Sequence, residues 1–418
     1  MKILLVNTAE FAGGAAIATR RLMRALNNHG AKAKMLVRDK VSDDPAVLRL
    51  PNAAMMRLRF VAERAEIFAA QDFTKENLWS IDTARYGTDI TRLPAFQEAD
   101  VIHLNWTNQG MLSTEDIGKI LATGKPIVWT MHDMWAFTGI CHHAESCEGW
   151  LSNCPSCPLL KKVDGKLAQS TFQRKQKAYG KGKIHFVACS DWLANLARKA
   201  PLTQGHDVES IPNAIDTKFY VPGDKMAARE ALGLPKDRKL LLFVAFKATD
   251  KNKGIDYLIE ATERMVQTMP SWKNQLGIIP VGKESETLEN AFACKAYPQT
   301  YVADQERMRL LYQAADLLVM PTLMDNLPNT IVEAAACGTP CVGFNIGGLP
   351  QMIQNGVNGY LARYRDAAHF AERTLETLAS GHFEKLCQGA LRLARANYSE
   401  EVIANRYKAL YERCLNAK

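Results

Sequence analysis

The chain has 418 residues, of which 47% are hydrophobic and 23% charged, and it carries a formal net charge of +8. This composition excludes a disordered or fibrous protein and predicts two domains, each with its own core. The modest positive charge suits an anionic ligand or an anionic membrane surface, and the absence of any recognition motif argues against nucleic acid as a partner.

Apolar runs of strand length alternate with helix-periodic stretches. KILLVN at the start reads as a strand, and Ala15 to His29 as a helix closed by Gly30. KAKMLV, DVIHLN, PIVWTM and KIHFVAC read as further strands, the last followed by a helix from Asp191. After a turn-rich joint at NAIDTKFYVPGDK the pattern restarts. KLLLFVAF, LGIIPV, QTYVA and DLLVM read as strands, with helices from Ile255 and Gln305, and the chain from Asp366 onward reads as helix. Such alternation predicts right-handed βαβ units and parallel sheets. The fold class is therefore α/β: two doubly wound, Rossmann-like domains facing each other across a cleft, with C-terminal helices. The expected boundaries are 1–212, 213–395, and a helix over 396–418 packing back on the first domain.

Ligands of doubly wound sheets sit at the carboxyl ends of the strands. At the end of the first strand, Gly13 and Gly14 precede a helix, so backbone can approach an anion closely there; a simple turn is the bland alternative. The segment is not G-x-G-x-x-G, which argues against a nicotinamide cofactor. FKATDKNKG places Lys247, Lys251 and Lys253 before Gly254, where ammonium groups beside a helix start suit a diphosphate. Lysines in a loop are also commonly just solvated. In PTLMDNLPNTIVEAAACGTP, Asp325 or Asn326 can cap a helix that has Pro328 in its first turn. Glu333 lies on an otherwise apolar stretch and needs a partner, for which a ligand's vicinal hydroxyls are suited. His132 ends a strand in WTMHDMW and is either structural or functional.

These segments, with SIPNAIDTKF, KGIDYLIEA, YQAADLLVMPT and GVNGYL, resemble a family 4 glycosyltransferase of the GT-B fold over nearly the full length. The stretch HDMWAFTGICHHAESCEGWLSNCPSCPLL resembles a bacterial exopolysaccharide branch that includes colanic-acid-type galactosyltransferases. The resemblance implies a retaining enzyme that moves a hexose from a nucleotide-diphosphate sugar (UDP or GDP) to a saccharide or lipid-linked saccharide acceptor. It implies Glu333 on the donor ribose, Asp325 with the backbone at Asn326 and Leu327 on the sugar ring, and Thr330 in the same donor site. It also implies Lys253 on the diphosphate, Gly13 and Gly14 over the phosphates and acceptor, and His132 beside the transferred sugar. The catalytic set is thus His132, Lys253 and Asp325. Two departures stand out: the first motif acid is Asp where Glu is commoner, and Ala248 occupies the usual arginine position, with Lys247 or Lys251 as substitutes that lack the planar fork. No cofactor is required for catalysis.

Cys141, Cys147, Cys154 and Cys157 follow a C-x5-C-x6-C-x2-C spacing, open to three readings: a structural zinc site, reduced packing thiols, or disulfides. Lys161 to Lys183 contains eight basic residues against Asp164, interleaved with Phe172 and Tyr179. It reads as a solvated helix or as a surface for anionic lipid, joined by the amphipathic Met55 to Phe73. The start is too short for a signal peptide and no run reaches membrane-spanning length, so the expected location is the cytoplasm, peripheral on the inner face of the plasma membrane. Two other functions fit the fold: a GT-B-type nucleotide-sugar epimerase or phosphorylase, and an inactive zinc-stabilised scaffold of a polysaccharide assembly.

Overall fold

The computed structural model describes residues 1–161, 166–379 and 381–417. The chain divides into two compact units, Met1–Ala214 with Glu400–Lys418, and Ile215–Ser399.

The first unit is built on strands β1 (Lys2–Ala9), β2 (Lys32–Asp39), β3 (Val47–Arg49), β4 (Val101–Leu104), β5 (Ile127–Met131), β6 (Ile184–Ala188) and β7 (Asp207–Ser210). Their order is β3-β2-β1-β4-β5-β6-β7, and all neighbours are parallel. Near-continuous burial along β1 and β5 reflects a sheet covered on both faces. The strand order reverses between β1 and β4, which leaves a crevice at their carboxyl ends. The helix Gly14–Asn28 follows β1 directly.

The second unit continues with β8 (Lys239–Lys247), β9 (Leu276–Lys283), β10 (Lys295–Ala296), β11 (Leu317–Met320), β12 (Cys341–Phe344) and β13 (Gly359–Ala362). The parallel order is β10-β9-β8-β11-β12-β13, so the reversal falls between β8 and β11. The QTYVA run is not a strand. The short pairing lies upstream at Lys295–Ala296, and only Gln299 makes an isolated bridge, to Val281. Pro298 lacks an N–H and interrupts the ladder. Strands β3, β7, β12 and β13 carry too few apolar residues in a row to be read from sequence.

The helices Ala367–Ala379, Phe383–Tyr398 and Glu400–Asn416 end the chain. The last belongs to the first unit, where Ile403, Ala404, Tyr407 and Tyr411 share a core with Leu5, Val101 and Val128. His103, on β4, is part of this joint. Its Nδ1 is 2.7 Å from Tyr411 Oη and its Nε2 is 2.7 Å from Thr130 Oγ1, which also bonds Tyr407 Oη at 2.8 Å. Burial pushes the His103 imidazole down to about 3, so it is neutral and structural. Tyr411→Phe leaves His103 Nδ1 buried without its partner and should cost about 1–2 kcal/mol in urea unfolding; a change within error would show that the helix is held by its apolar contacts alone.

Within 161–183, Lys162 and Asp164 lie outside the described residues. The helix Lys166–Tyr179 buries Phe172, Tyr179 and Lys175 in the core, so these aromatics do not line an outer basic face. The cause is periodicity: positions 168, 171, 172, 175, 178 and 179 form one helical stripe that packs inward. The helix Ala53–Ala70, by contrast, exposes Met55, Leu58 and Val61. Among the described residues no helix is long and apolar enough to cross a membrane.

Candidate functional site

The second unit's site is assembled where β8 and β11 end. After β8 the chain makes a short turn, Lys251–Lys253, capped by Asp250 Oδ1 accepting from Asn252 N at 2.9 Å. Gly254 then adopts φ +77° and starts the helix Ile255–Thr268. A Cβ on Gly254 would stand 1.8 Å from Pro321 O, so only glycine lets this turn lie against the end of β11. Leu323 N donates to Asn252 O at 2.9 Å and Thr322 Oγ1 donates to the same carbonyl at 3.3 Å, which stitches the two strand ends together.

That stitching brings Lys253 Nζ to 2.7 Å from Asp325 Oδ2. The Asp325 carboxylate raises the Lys253 pKa against the opposing effect of burial, so the ammonium is charged throughout the neutral range. Asp325 is not a helix cap. Pro328 itself is the N-cap of the helix Asn329–Ala336, no side chain caps it, and Asp325 Oδ1 accepts from Asn326 N at 3.1 Å. The backbone of Asp325 is fixed from behind: Gly348 N donates to its carbonyl at 3.3 Å, and a Cβ on Gly347 would come within 2.1 Å of that oxygen.

Glu333 lies inside that helix, 8% exposed, with Tyr312 Oη donating to its Oε2 at 2.5 Å. Asn326 and Leu327 are buried, and Thr330 is half-buried with Oγ1 at 3.8 Å from Met320 Sδ. The three lysines part company. Lys247 pairs with Glu284 at 3.0 Å and Lys251 with Asp256 at 3.5 Å, both at the surface, and Lys253 alone of the three pairs with Asp325. Ala248 is fully buried and its N–H donates to Lys283 O at 2.8 Å.

In the first unit, Gly13 (φ +90°) has nothing within 4 Å of its Cβ position, and Gly14 begins the helix after β1, both exposed. Glu10 holds this loop. Its Oε2 accepts from Val41 N at 2.7 Å and Ser42 N at 2.8 Å, and Oε1 meets Arg20. His132 follows β5, half-buried, with Nε2 at 3.3 Å from Asn105 Oδ1 and Nδ1 at 3.5 Å from Cys189 Sγ. Burial pushes its imidazole down to about 4, against a smaller upward pull from Asp133, so it is neutral at pH 7. The adjacent Asp133 accepts from Trp135 N at 2.8 Å and Trp106 Nε1 at 3.0 Å. His142, from the cysteine segment, spans two carboxylates: Nδ1 to Asp133 Oδ2 at 2.7 Å and Nε2 to Asp82 Oδ2 at 2.6 Å. Burial would raise the Asp133 carboxyl, but His142 outweighs it and holds that group below the usual range.

Tyr312, Glu10 and His142 were not singled out by sequence reasoning. Tyr312 stood within YQAADLLVMPT, but its hydroxyl has no readable partner until Glu333 is placed beside it. Cys141, Cys147, Cys154 and Cys157 line one cavity of about 200 Å³, and all are free thiols. Among the described residues no group of three or more His, Cys, Asp or Glu side chains is arranged to hold a metal ion.

Residues 238–380 match the family model described as glycosyl transferases group 1. The D-inositol 3-phosphate glycosyltransferase of Geodermatophilus obscurus is 34% identical over 200 residues, covering 44% of this chain and 43% of the relative, so the chain spans less than half the length of that protein. The enzyme of the same name from Acidothermus cellulolyticus is 25% identical over 402 residues, 91% of this chain and 81% of its own. Among solved structures, sucrose-phosphate synthase from Thermosynechococcus elongatus has a TM-score of 0.70 at 19% identity and covers 100% of both chains. Anabaena HepE in complex with UDP has a TM-score of 0.62 at 14% identity, covering 99% of this chain and 100% of its own. The chain thus has the GT-B fold, and its residues 238–380 are similar to the group 1 glycosyl transferases.

Proposed function

We propose that the protein is a retaining glycosyltransferase that takes a sugar from a nucleoside diphosphate donor. The observation that carries this reading is the Lys253–Asp325 pair at the reversal between β8 and β11, with Glu333 on the helix that follows. In this reading the diphosphate draws Lys253 away from Asp325, because two or more phosphate charges outbid one carboxylate for the ammonium. Asp325, with the backbone at Asn326 and Leu327, then meets the sugar ring, and Glu333 takes the ribose hydroxyls. Lys247, Lys251 and Thr330 complete the donor side; Gly13, Gly14 and His132 serve the phosphates, acceptor and transferred sugar.

The chemistry is leaving-group stabilisation. The anomeric C–O bond to phosphate breaks, the acceptor oxygen bonds that carbon from the same face, and the acceptor proton passes to the departing phosphate oxygen. Lys253 stabilises the charge that develops on the diphosphate. Neutral His132 is suited to hydrogen bonding and not to ion pairing.

The acceptor we propose is a saccharide or lipid-linked saccharide of a bacterial surface polysaccharide, at an anionic membrane reached through Met55, Leu58, Val61 and Arg57 on one exposed helix face. A phosphorylated cyclitol is the second reading, favoured by the names of the curated relatives. Thermal-shift screening of UDP- and GDP-sugars, followed by mass spectrometry of products with each acceptor, separates the two. Donor turnover with neither acceptor, giving an epimeric sugar, would overturn transfer. Glu333→Ala should weaken donor binding by about 1.5–3 kcal/mol through lost bonds to a charged group. Calorimetry with an intact donor checks this, and unchanged affinity rejects the ribose role.

A further inference from the structure

The cysteine segment gathers four thiols around one space. Cys141, Cys147, Cys154 and Cys157 come from separate turns and ring a single cavity of about 200 Å³. Three of the sulphurs are met by backbone donors. Gly139 N donates to Cys154 Sγ at 3.2 Å, Gly149 N to Cys147 Sγ at 3.4 Å, and Leu159 N to Cys157. A neutral thiol gains little from an N–H, whereas an anionic sulphur gains a charge-assisted bond. Gly139 is required for this approach, since a Cβ there would lie 2.8 Å from Ala168 O and 3.1 Å from Cys154 Sγ. Asn153 and Cys154 hold left-handed backbone, φ +66° and +53°, a conformation that persists only where the surroundings demand it.

A buried amine stands behind the sulphurs. Lys175 is fully buried, its Nζ donating to Trp135 O at 2.5 Å and Thr138 O at 3.1 Å and lying 3.3 Å from the Trp135 ring centroid. Burial disfavours the charged form of this amine and of the nearby Cys141 and Cys154 thiols alike. The charged form that burial disfavours in each thiol is the one a bound dication would stabilise.

We propose that Cys141, Cys147, Cys154 and Cys157 form a structural zinc site. The thiols ring the cavity without converging, and metal entry would turn them inward to the tetrahedral geometry zinc prefers, releasing their protons. A closed tetrathiolate has no open position, so the ion is a staple and not a catalyst. It would fix residues 141–160 as one body, and that body reaches the end of β5 through His142 on Asp133.

The test is metal analysis of the full-length protein purified without chelator. One zinc per chain is expected, lost in Cys147→Ser and Cys157→Ser but kept in Cys294→Ser, a buried thiol of the second unit. Cys147 is only partly buried, so that variant should fold, as circular dichroism would verify. On the wild-type chain, a mercurial thiol reagent should release the zinc as the four thiols react, and cobalt substitution should give intense thiolate charge-transfer absorption. Zinc absent from the wild type, zinc retained in both cysteine variants, or iron with visible absorption in its place would each overturn the proposal.

Discussion

Lys253→Met should lower kcat/KM by about 100- to 1,000-fold, the usual loss when one preorganised donor to a developing anion is removed. Stability should hardly change. The Lys253–Asp325 pair is part-exposed, at 34% and 17%, and such pairs contribute little net folding energy. The two readouts separate a ligand-binding ammonium from a structural one. If Lys253 only anchored Asp325, Asp325→Asn would remove the same interaction and the double variant would add nothing to either single one. If Lys253 holds the diphosphate, Lys253→Met should weaken binding of the bare nucleoside diphosphate, which has no sugar for Asp325 to touch, and Asp325→Asn should not. Calorimetry with UDP and GDP measures this directly. Lys253→Met with unchanged affinity would remove the donor reading of this site. Lys253→Arg should rescue poorly, because a planar fork of larger reach replaces a compact charge held on a tightly stitched turn.

How much of this was legible follows from the range of each signal. Parallel sheets and strand ends come from apolar runs, which are local, so β1, β2, β4, β5, β6, β8, β9 and β11 were readable and Lys253 and Asp325 could be assigned to carboxyl ends. That the two touch depends on the β8–β11 adjacency and on Gly254 packing against Pro321, which are relations across some seventy positions that periodicity does not carry. The same reason hid Tyr312 beside Glu333 and His142 between Asp82 and Asp133. Lys175 shows the converse error. A run of basic residues looks like one charged surface, but helical geometry turns one member of the run into the core, where Trp135 and two carbonyls receive it. Capping, the alternative reading for Asp325, fails because the side chain is drawn off to a lysine from another strand end.

Asp316→Ala should destabilise the second unit by about 3–5 kcal/mol, because it strips a buried cation of its partner. Asp316 precedes β11, at the end of the strands opposite Lys253 and Asp325. Its Oδ2 accepts from Arg229 Nη2 at 2.7 Å and from Leu240 N at 2.8 Å, and its Oδ1 pairs with Lys225 at 2.8 Å. Arg229 is 2% exposed; its other bonds go to the carbonyls of Ala314, Lys236 and Arg238, so Asp316 is the carboxylate that pairs with it. Burial alone would raise the Asp316 carboxyl, but Lys225, the Leu240 N–H and Arg229 together outweigh it and hold the group below the ordinary aspartate range. A depressed folded value means that the contribution is fully present above the unfolded value, about pH 4, and is lost as pH falls through the lower folded one. Urea unfolding of wild type and variant at neutral pH should therefore show the full gap, and the gap should narrow below about pH 4 as the wild-type carboxylate takes up its proton. A gap that stays constant into acid would mean that packing, not charge, sets the cost. The remaining folded variant should bind donor normally, since the substitution leaves the carboxyl ends of β8 and β11 untouched; lost donor affinity in fully folded protein would show that the two ends of these strands are coupled.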